Sequence, residues 1–340
     1  MLVNDLKSRI RKSGPLPFSD FIETCLYDHE KGFFTKKGRA GRRGDFLTSP
    51  EVGPLFGHLI ANWLDDLWTK IDKPKNFQVI EVGAGCGTLA RAILDCKPKC
   101  LEHGNYVMVE RSEELRKAQP ISEKLFSTID VPDAPIVGAV IANELLDNLP
   151  FDLLEADGDC WKEVCVGLMD DQLVEILTTE REPPVEVSPL KGARIPIQTQ
   201  ANNWIKGVIE KISSGSLLLI DYGSSTQEMS QRNQESWLRT FKKHNRGTSP
   251  LEDVGNQDVT VEVAIDQLPE GAVISTQKQF LENQGINHLV DEGRKIWKES
   301  SSVGDLRAVK ARSRIVEAEA LLDPKGLGAF FVFEWKISSS

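Results

Sequence analysis

The sequence predicts a doubly wound α/β fold, and three observations carry that expectation. From Asn76 onward, short strands rich in β-branched residues alternate with helical stretches, the pattern of a parallel sheet with crossover helices. A Gly-x-Gly-x-Gly turn at Gly83, Gly85 and Gly87 joins the first of those strands to a helix. An acid, Glu110, closes the second strand.

Residues 1–75 read as a mostly helical N-terminal segment, because Leu59, Ile60, Trp63, Leu64, Leu67 and Trp68 recur at helical spacing. Within it, residues 36–44 hold three glycines and five basic side chains. That composition suits a solvated turn as well as a loop closing over an anionic group. Residues 76–340 form the α/β domain. Its strands are expected at 77–82, 106–109, 136–142 and 217–222, with helices at about 112–119 and on the face marked by Trp204, Val208, Ile209 and Ile212. Insertions interrupt it near 151–180 and 224–270. In the first, residues 161–166 and 172–177 flank Met169-Asp-Asp171 as an antiparallel hairpin. In the second, residues 224–260 are polar and turn-rich and read as a long functional loop or a partly ordered insertion. A helix near 277–284 and a strand at 330–335 close the chain.

The 340 residues carry a net charge of −10, which disfavours a nucleic-acid binder that works by neutralising phosphates. No apolar run approaches the roughly 20 residues of a membrane span, and the first thirteen residues lack the apolar stretch of a secretory signal. The six cysteines, at 25, 86, 96, 100, 160 and 165, form no Cys-x-x-Cys pair and no metal set. They read as reduced thiols, and the chain as cytoplasmic.

The glycine turn suits two cofactor classes. A dinucleotide fold requires glycine at the position of Thr88 and an acid about 20 residues on, whereas Glu110 lies 27 positions after Gly83. An S-adenosylmethionine (SAM) site instead places one acid just before the loop and one at the end of the second strand. Glu81 and Glu110 occupy those places. Glu110 would accept hydrogen bonds from the ribose hydroxyls, and Glu81 would support the loop and the methionine end.

With these residues in place, the chain resembles the MidA-like family, which joins bacterial SAM-dependent methyltransferases to a related mitochondrial complex I assembly factor. The resemblance rests on Gly14-Pro-Leu-Pro-Phe-Ser-Asp-Phe21, Gly44-Asp-Phe-Leu-Thr-Ser-Pro-Glu51, residues 81–89, Asn143-Glu-Leu-Leu-Asp-Asn-Leu-Pro150, Asp221-Tyr-Gly223 and Pro324-Lys-Gly-Leu-Gly328. It implies a Rossmann-like seven-stranded methyltransferase sheet, SAM as cofactor and, as in the mitochondrial member, an arginine of a respiratory-complex subunit as methyl acceptor. The chain departs from the family pattern at Ala84, where proline is usual, and at Glu262, Ala264 and Ile265, where the family has His, Asp and Phe.

Methyl transfer is an in-line displacement that needs alignment and exclusion of water. The 143–147 segment falls at a carboxyl edge of the sheet, where ligands bind in such folds. Asn143 is expected to reach the cofactor. Glu144 and Asp147 share a face if the segment is a helical turn, and two carboxylates there would grip a guanidinium. The same residues also read as an N-cap with acids in the first turn of a helix. Spacing leaves both readings open, and the resemblance favours catalysis. Thr48 and Glu51 read equally as a capping box. Asp45 follows glycines that suit a lid over the cofactor. A SAM-binding assembly factor without catalysis and an NAD-binding oxidoreductase are the alternatives.

Overall fold

The computed structural model describes residues 1–36, 48–133, 135–242, 245–300 and 306–338. Its centre is a seven-stranded sheet of β1 (Gln78–Val82), β2 (Asn105–Val109), β3 (Leu125–Thr128), β4 (Ile136–Asn143), β5 (Ile212–Asp221), β6 (Val273–Thr276) and β7 (Phe331–Ile337). The order across the sheet is β3-β2-β1-β4-β5-β7-β6. The first five in that order are parallel to one another, and β7 runs antiparallel to both β5 and β6. The order reverses between β1 and β4, so the carboxyl ends of those strands flank the crevice where doubly wound sheets bind ligands.

Both faces of the sheet are covered, which is why β5 is apolar without interruption from Leu217 to Ile220. Alternate side chains enter opposite cores. Leu218 and Ile220 join Phe56, Leu59, Ile60 and Leu64 of helix Pro54–Lys70. Leu217 and Leu219 join Ile205 and Val208 of helix Thr199–Lys211 on the other face.

The first 75 residues are divided between two cores. Helix Pro54–Lys70 packs on the sheet. Helices Leu2–Ser13 and Phe18–Tyr27 instead bury Leu6, Phe18, Phe21 and Ile22 against the inserted region, including Phe151, Val166 and Trp237. The expected hairpin is present as strands Trp161–Met169 and Gln172–Glu180, turned through Asp170 and Asp171, both at positive φ. It belongs to a five-stranded sheet completed by Leu16–Pro17, Asp152–Ala156 and Arg194–Ile197.

Residues 224–260 correct the sequence reading. They are not a long loop: strand Leu238–Lys242 pairs with Asp258–Val261 around the fully buried Trp237. Polar residues are buried here as well, Asp258 and Thr260 alternating with Val259 and Val261 along the second strand. The sequence reading also passed over helices Ile286–Ser300 and Leu306–Leu322, which cover Leu281 and Leu64 through Ile286, Leu289 and Leu321. No described helix is long and apolar enough to cross a membrane.

Candidate functional site

A cavity of about 1090 Å3 opens at the carboxyl ends of β1, β2 and β4. Its lining includes Glu81, the 83–86 turn, Glu110, Asn143, Glu144 and Asp147. Asp45 lies outside the described residues.

One half of the cavity is built by the glycine turn. After β1, Gly83, Gly85 and Gly87 all take positive φ, a region glycine enters without steric cost. A Cβ at Gly85 would meet nothing within 4 Å, so the backbone there borders open space. Helix Thr88–Asp95 starts at this turn and presents its free N–H groups. Glu110 fixes the loop. Its Oε2 accepts from the Gly85 N–H at 3.0 Å and its Oε1 from the Ser112 N–H at 2.8 Å. Burial pushes its carboxyl up, against those two bonds. Gln119, which sequence reasoning missed, donates to the Gly85 carbonyl at 2.8 Å and accepts from Ser127. Glu81 accepts a 2.7 Å bond from the buried Tyr106 hydroxyl, and its carboxyl is pushed up to about 7, chiefly by burial. Glu51 does not close a capping box, since Thr48 makes no side-chain cap bond. Its carboxylate instead accepts from the Thr88 hydroxyl at 2.9 Å, tying the segment before it to the cofactor turn.

The other half is acidic and strained. Asn143 is the last residue of β4, and Glu144 adopts φ 50, a left-handed conformation that a non-glycine residue adopts only at some cost. Only a single 3₁₀ turn, Leu146–Asn148, follows. The helix-capping reading of Asn143, Glu144 and Asp147 therefore fails: there is no α-helix to cap. Asn143 Nδ2 donates to Glu144 Oε1 at 3.0 Å, while its Oδ1 is buried and accepts no bond among the described residues. Asp147 Oδ2 accepts from the Tyr222 hydroxyl at 2.9 Å, and its Oδ1 is buried with no partner among the described residues. Asp221, at the end of β5, holds the turn. Its Oδ2 accepts from the Leu146 N–H at 2.9 Å and the Asp147 N–H at 3.3 Å.

Three carboxyl groups thus gather with no ion pair among the described residues. Burial and then Asp147 push the Glu144 carboxyl up to about 8, opposed by the Asn143 amide and the Ser49 N–H. Burial also raises Asp147, against the Tyr222 bond. Asp221 is raised as well, by burial and then by its two acidic neighbours.

The remaining wall comes from the N-terminal helix Phe18–Tyr27 and the 224–270 insertion. The Tyr27 hydroxyl donates to the Asn148 carbonyl at 3.1 Å, and Asn148 donates to Asp258 and to the Val259 carbonyl. Glu262 is bound by Arg232 and Arg239. Tyr27, Tyr106 and Arg239 gave no local signal of these contacts, because each reaches its partner across the fold. No described group of His, Cys, Asp or Glu is arranged to hold a metal ion.

The cavity fits SAM on its own chemistry. Glu110 offers a carboxylate with lone pairs left over for a diol, Gly85 leaves backbone open to a ligand, and Asn143 Oδ1 is an orphan acceptor for an ammonium group.

Residues 59–282 match the family described as "Putative S-adenosyl-L-methionine-dependent methyltransferase". The protein arginine methyltransferase NDUFAF7 homolog of Drosophila melanogaster, a mitochondrial protein, is 27% identical over 302 residues, covering 77% of this chain and 68% of the relative. NDUFAF7 of Xenopus tropicalis is 27% identical over 340 residues, covering 84% and 76%. In overall fold the chain is similar to a Burkholderia thailandensis structure bound to S-adenosyl-homocysteine, with TM-score 0.84 and 24% identity over 100% of this chain and 92% of that one.

Proposed function

The chain belongs to the S-adenosyl-L-methionine-dependent methyltransferase family, and from that premise we propose that it methylates an arginine side chain of a protein. Membership in a SAM-dependent family sets aside the NAD reading, in line with Thr88 standing where a dinucleotide turn needs glycine.

The observation that carries the arginine reading is the pair Glu144 and Asp147, which line the same cavity as the glycine turn. Neither has a cationic partner among the described residues, and Asp147 Oδ1 is left without a bond. A guanidinium would satisfy both carboxylates with paired N–H donors. The names of the mitochondrial relatives support the same acceptor.

In this reading Glu110, Gly83, Gly85, Gly87, Asn143 and Glu81 bind the cofactor, which supplies a methyl group on a sulfonium. Glu144 and Asp147 hold two nitrogens of the guanidinium and draw its positive charge toward them, leaving electron density on the third. Glu144, whose carboxyl is poised near neutrality, accepts the proton the guanidinium loses as it is alkylated. Asp221 keeps the Asp147 turn in register through its two backbone bonds. The walls from Tyr27, Leu145 and Phe330 exclude water. Asp45 remains a proposed cofactor-binding residue. A respiratory-complex subunit is the acceptor that the family resemblance favours. The six free cysteines suit a reducing, cytoplasmic setting.

The test is transfer of labelled methyl from SAM to proteins of a lysate lacking this gene product, with mass spectrometry of the labelled residue. Label on an arginine is the expected result. Label on lysine, a carboxylate or a small molecule overturns the acceptor. No label, together with recovery of a stable partner complex, favours an assembly factor without catalysis.

A further inference from the structure

Asp147 sits among groups that oppose its ionisation. Glu144 and Asp221 add negative charge beside it, and Tyr27 is the other phenol within its field. Among the described residues, its one side-chain donor is the Tyr222 hydroxyl. Tyr222 is clamped on two sides. The Phe330 ring lies at 5.4 Å between centroids, and the Arg239 guanidinium lies over the ring at 5.6 Å. Arg239 is itself fixed: Nε and Nη2 donate to the Ser236 carbonyl, and Nη2 donates to Glu262 Oε1 at 2.8 Å. Glu262 also binds Arg232 at 2.6 Å. Two guanidinium groups share one carboxylate, so the cluster keeps a surplus positive charge on the side where Arg239 meets the ring.

We propose that Arg239 is a positioning residue that acts through Tyr222 to keep Asp147 ionised and aimed at the methyl acceptor. A cation over an aromatic face draws electron density from the ring, which makes the phenol a stronger hydrogen-bond donor to a carboxylate. The line Glu262–Arg239–Tyr222–Asp147 thereby holds one oxygen of Asp147 and leaves Oδ1 for the incoming cation. This inference rests on the assignment of Asp147 to the acceptor site.

The experiment follows the initial rate of labelled methyl transfer from SAM into lysate proteins between about pH 5 and 9. Arg239→Gln should move the lower of the two inflections on the acid limb, that of Asp147 beneath that of Glu144, up by about half to one pH unit, while S-adenosyl-homocysteine affinity stays within about twofold. Arg239→Lys, which restores a cation over the ring, should return the limb most of the way. In a Tyr222→Phe background the Arg239→Gln change should add almost nothing, because the link is already cut. An Arg239→Gln protein that loses rate equally at every pH, or whose effect persists in full without the phenol, assigns Arg239 to folding alone and overturns the inference. A wild-type protein that transfers no label, or an Asp147→Asn protein that transfers normally, overturns the acceptor assignment itself and this inference with it.

Discussion

The two halves of the cavity differ in how far the protein satisfies its own polar groups. On the glycine-turn side, the acids are already bonded: Glu110 takes two backbone N–H groups and Glu81 takes the Tyr106 hydroxyl. On the other side, among the described residues, Glu144, Asp147 and Asp221 crowd together without a cation and one Asp147 oxygen has no partner, and Glu144 is held in left-handed backbone. The contrast separates a preformed pocket from one that is finished only when a positive group enters. Buried unpaired charge destabilises a fold, and its presence beside the glycine turn is what the proposed acceptor site rests on.

The comparison can be broken most sharply at Glu144. Glu144→Gln should reduce methyl transfer by on the order of a hundredfold or more, since it removes one carboxylate from a buried charged grip. In the wild type the rate should climb with pH as the Glu144 carboxyl, pushed to about 8, loses its proton. A flat profile from pH 6 to 9 would remove Glu144 from the chemistry.

Next in size is the cofactor half. Glu110→Ala should weaken S-adenosyl-homocysteine binding by about ten- to a hundredfold, the loss expected for hydrogen bonds to a charged group, as measured by calorimetry. Unchanged affinity would mean that Glu110 only braces the loop.

The third effect separates the halves by stability. The Glu144 carboxyl is raised in the folded state, so between the ordinary 4.5 and about 8 the folded chain holds a proton that the unfolded chain has lost. Stability therefore falls as pH rises through that window. Glu144→Gln should be more stable than wild type at pH 8, on the order of 1–3 kcal/mol, in denaturant melts. A variant that is less stable would show that the carboxylate is a structural bond rather than stored strain.

The smallest effect belongs to the turn. Gly85→Ala has room for its methyl but must hold φ 53, at a cost of about 1 kcal/mol. Cofactor affinity should drop by less than about tenfold, and a far larger loss would place ligand atoms where the methyl projects.

The same division governs what the sequence revealed. The glycine-turn half is local: β1, its glycines, the helix after them and Glu110 lie within one strand–helix–strand unit, so their adjacency was legible from spacing alone. β5 was legible because a strand buried on both faces is apolar throughout. The proposed acceptor half is assembled from afar. Nothing in Asn143-Glu-Leu-Leu-Asp147 announces that Glu144 turns left-handed, so the segment read equally well as a capped helix. Tyr222 meets Asp147 from 75 positions away, and Asp258 meets Asn148 from 110. The polar stretch around Trp237 passed for a loop because its few apolar residues pair with helices near the N-terminus. β3 is too short and too exposed to carry a pattern.

The central claim is that the two halves are separable, and Asp147→Asn tests it in one paired measurement. S-adenosyl-homocysteine affinity by calorimetry and methyl transfer from labelled SAM should be determined on the same protein. The account predicts affinity within about twofold of wild type and transfer reduced by about a hundredfold or more. Transfer at the wild-type rate, or affinity that falls in parallel with transfer, would contradict it.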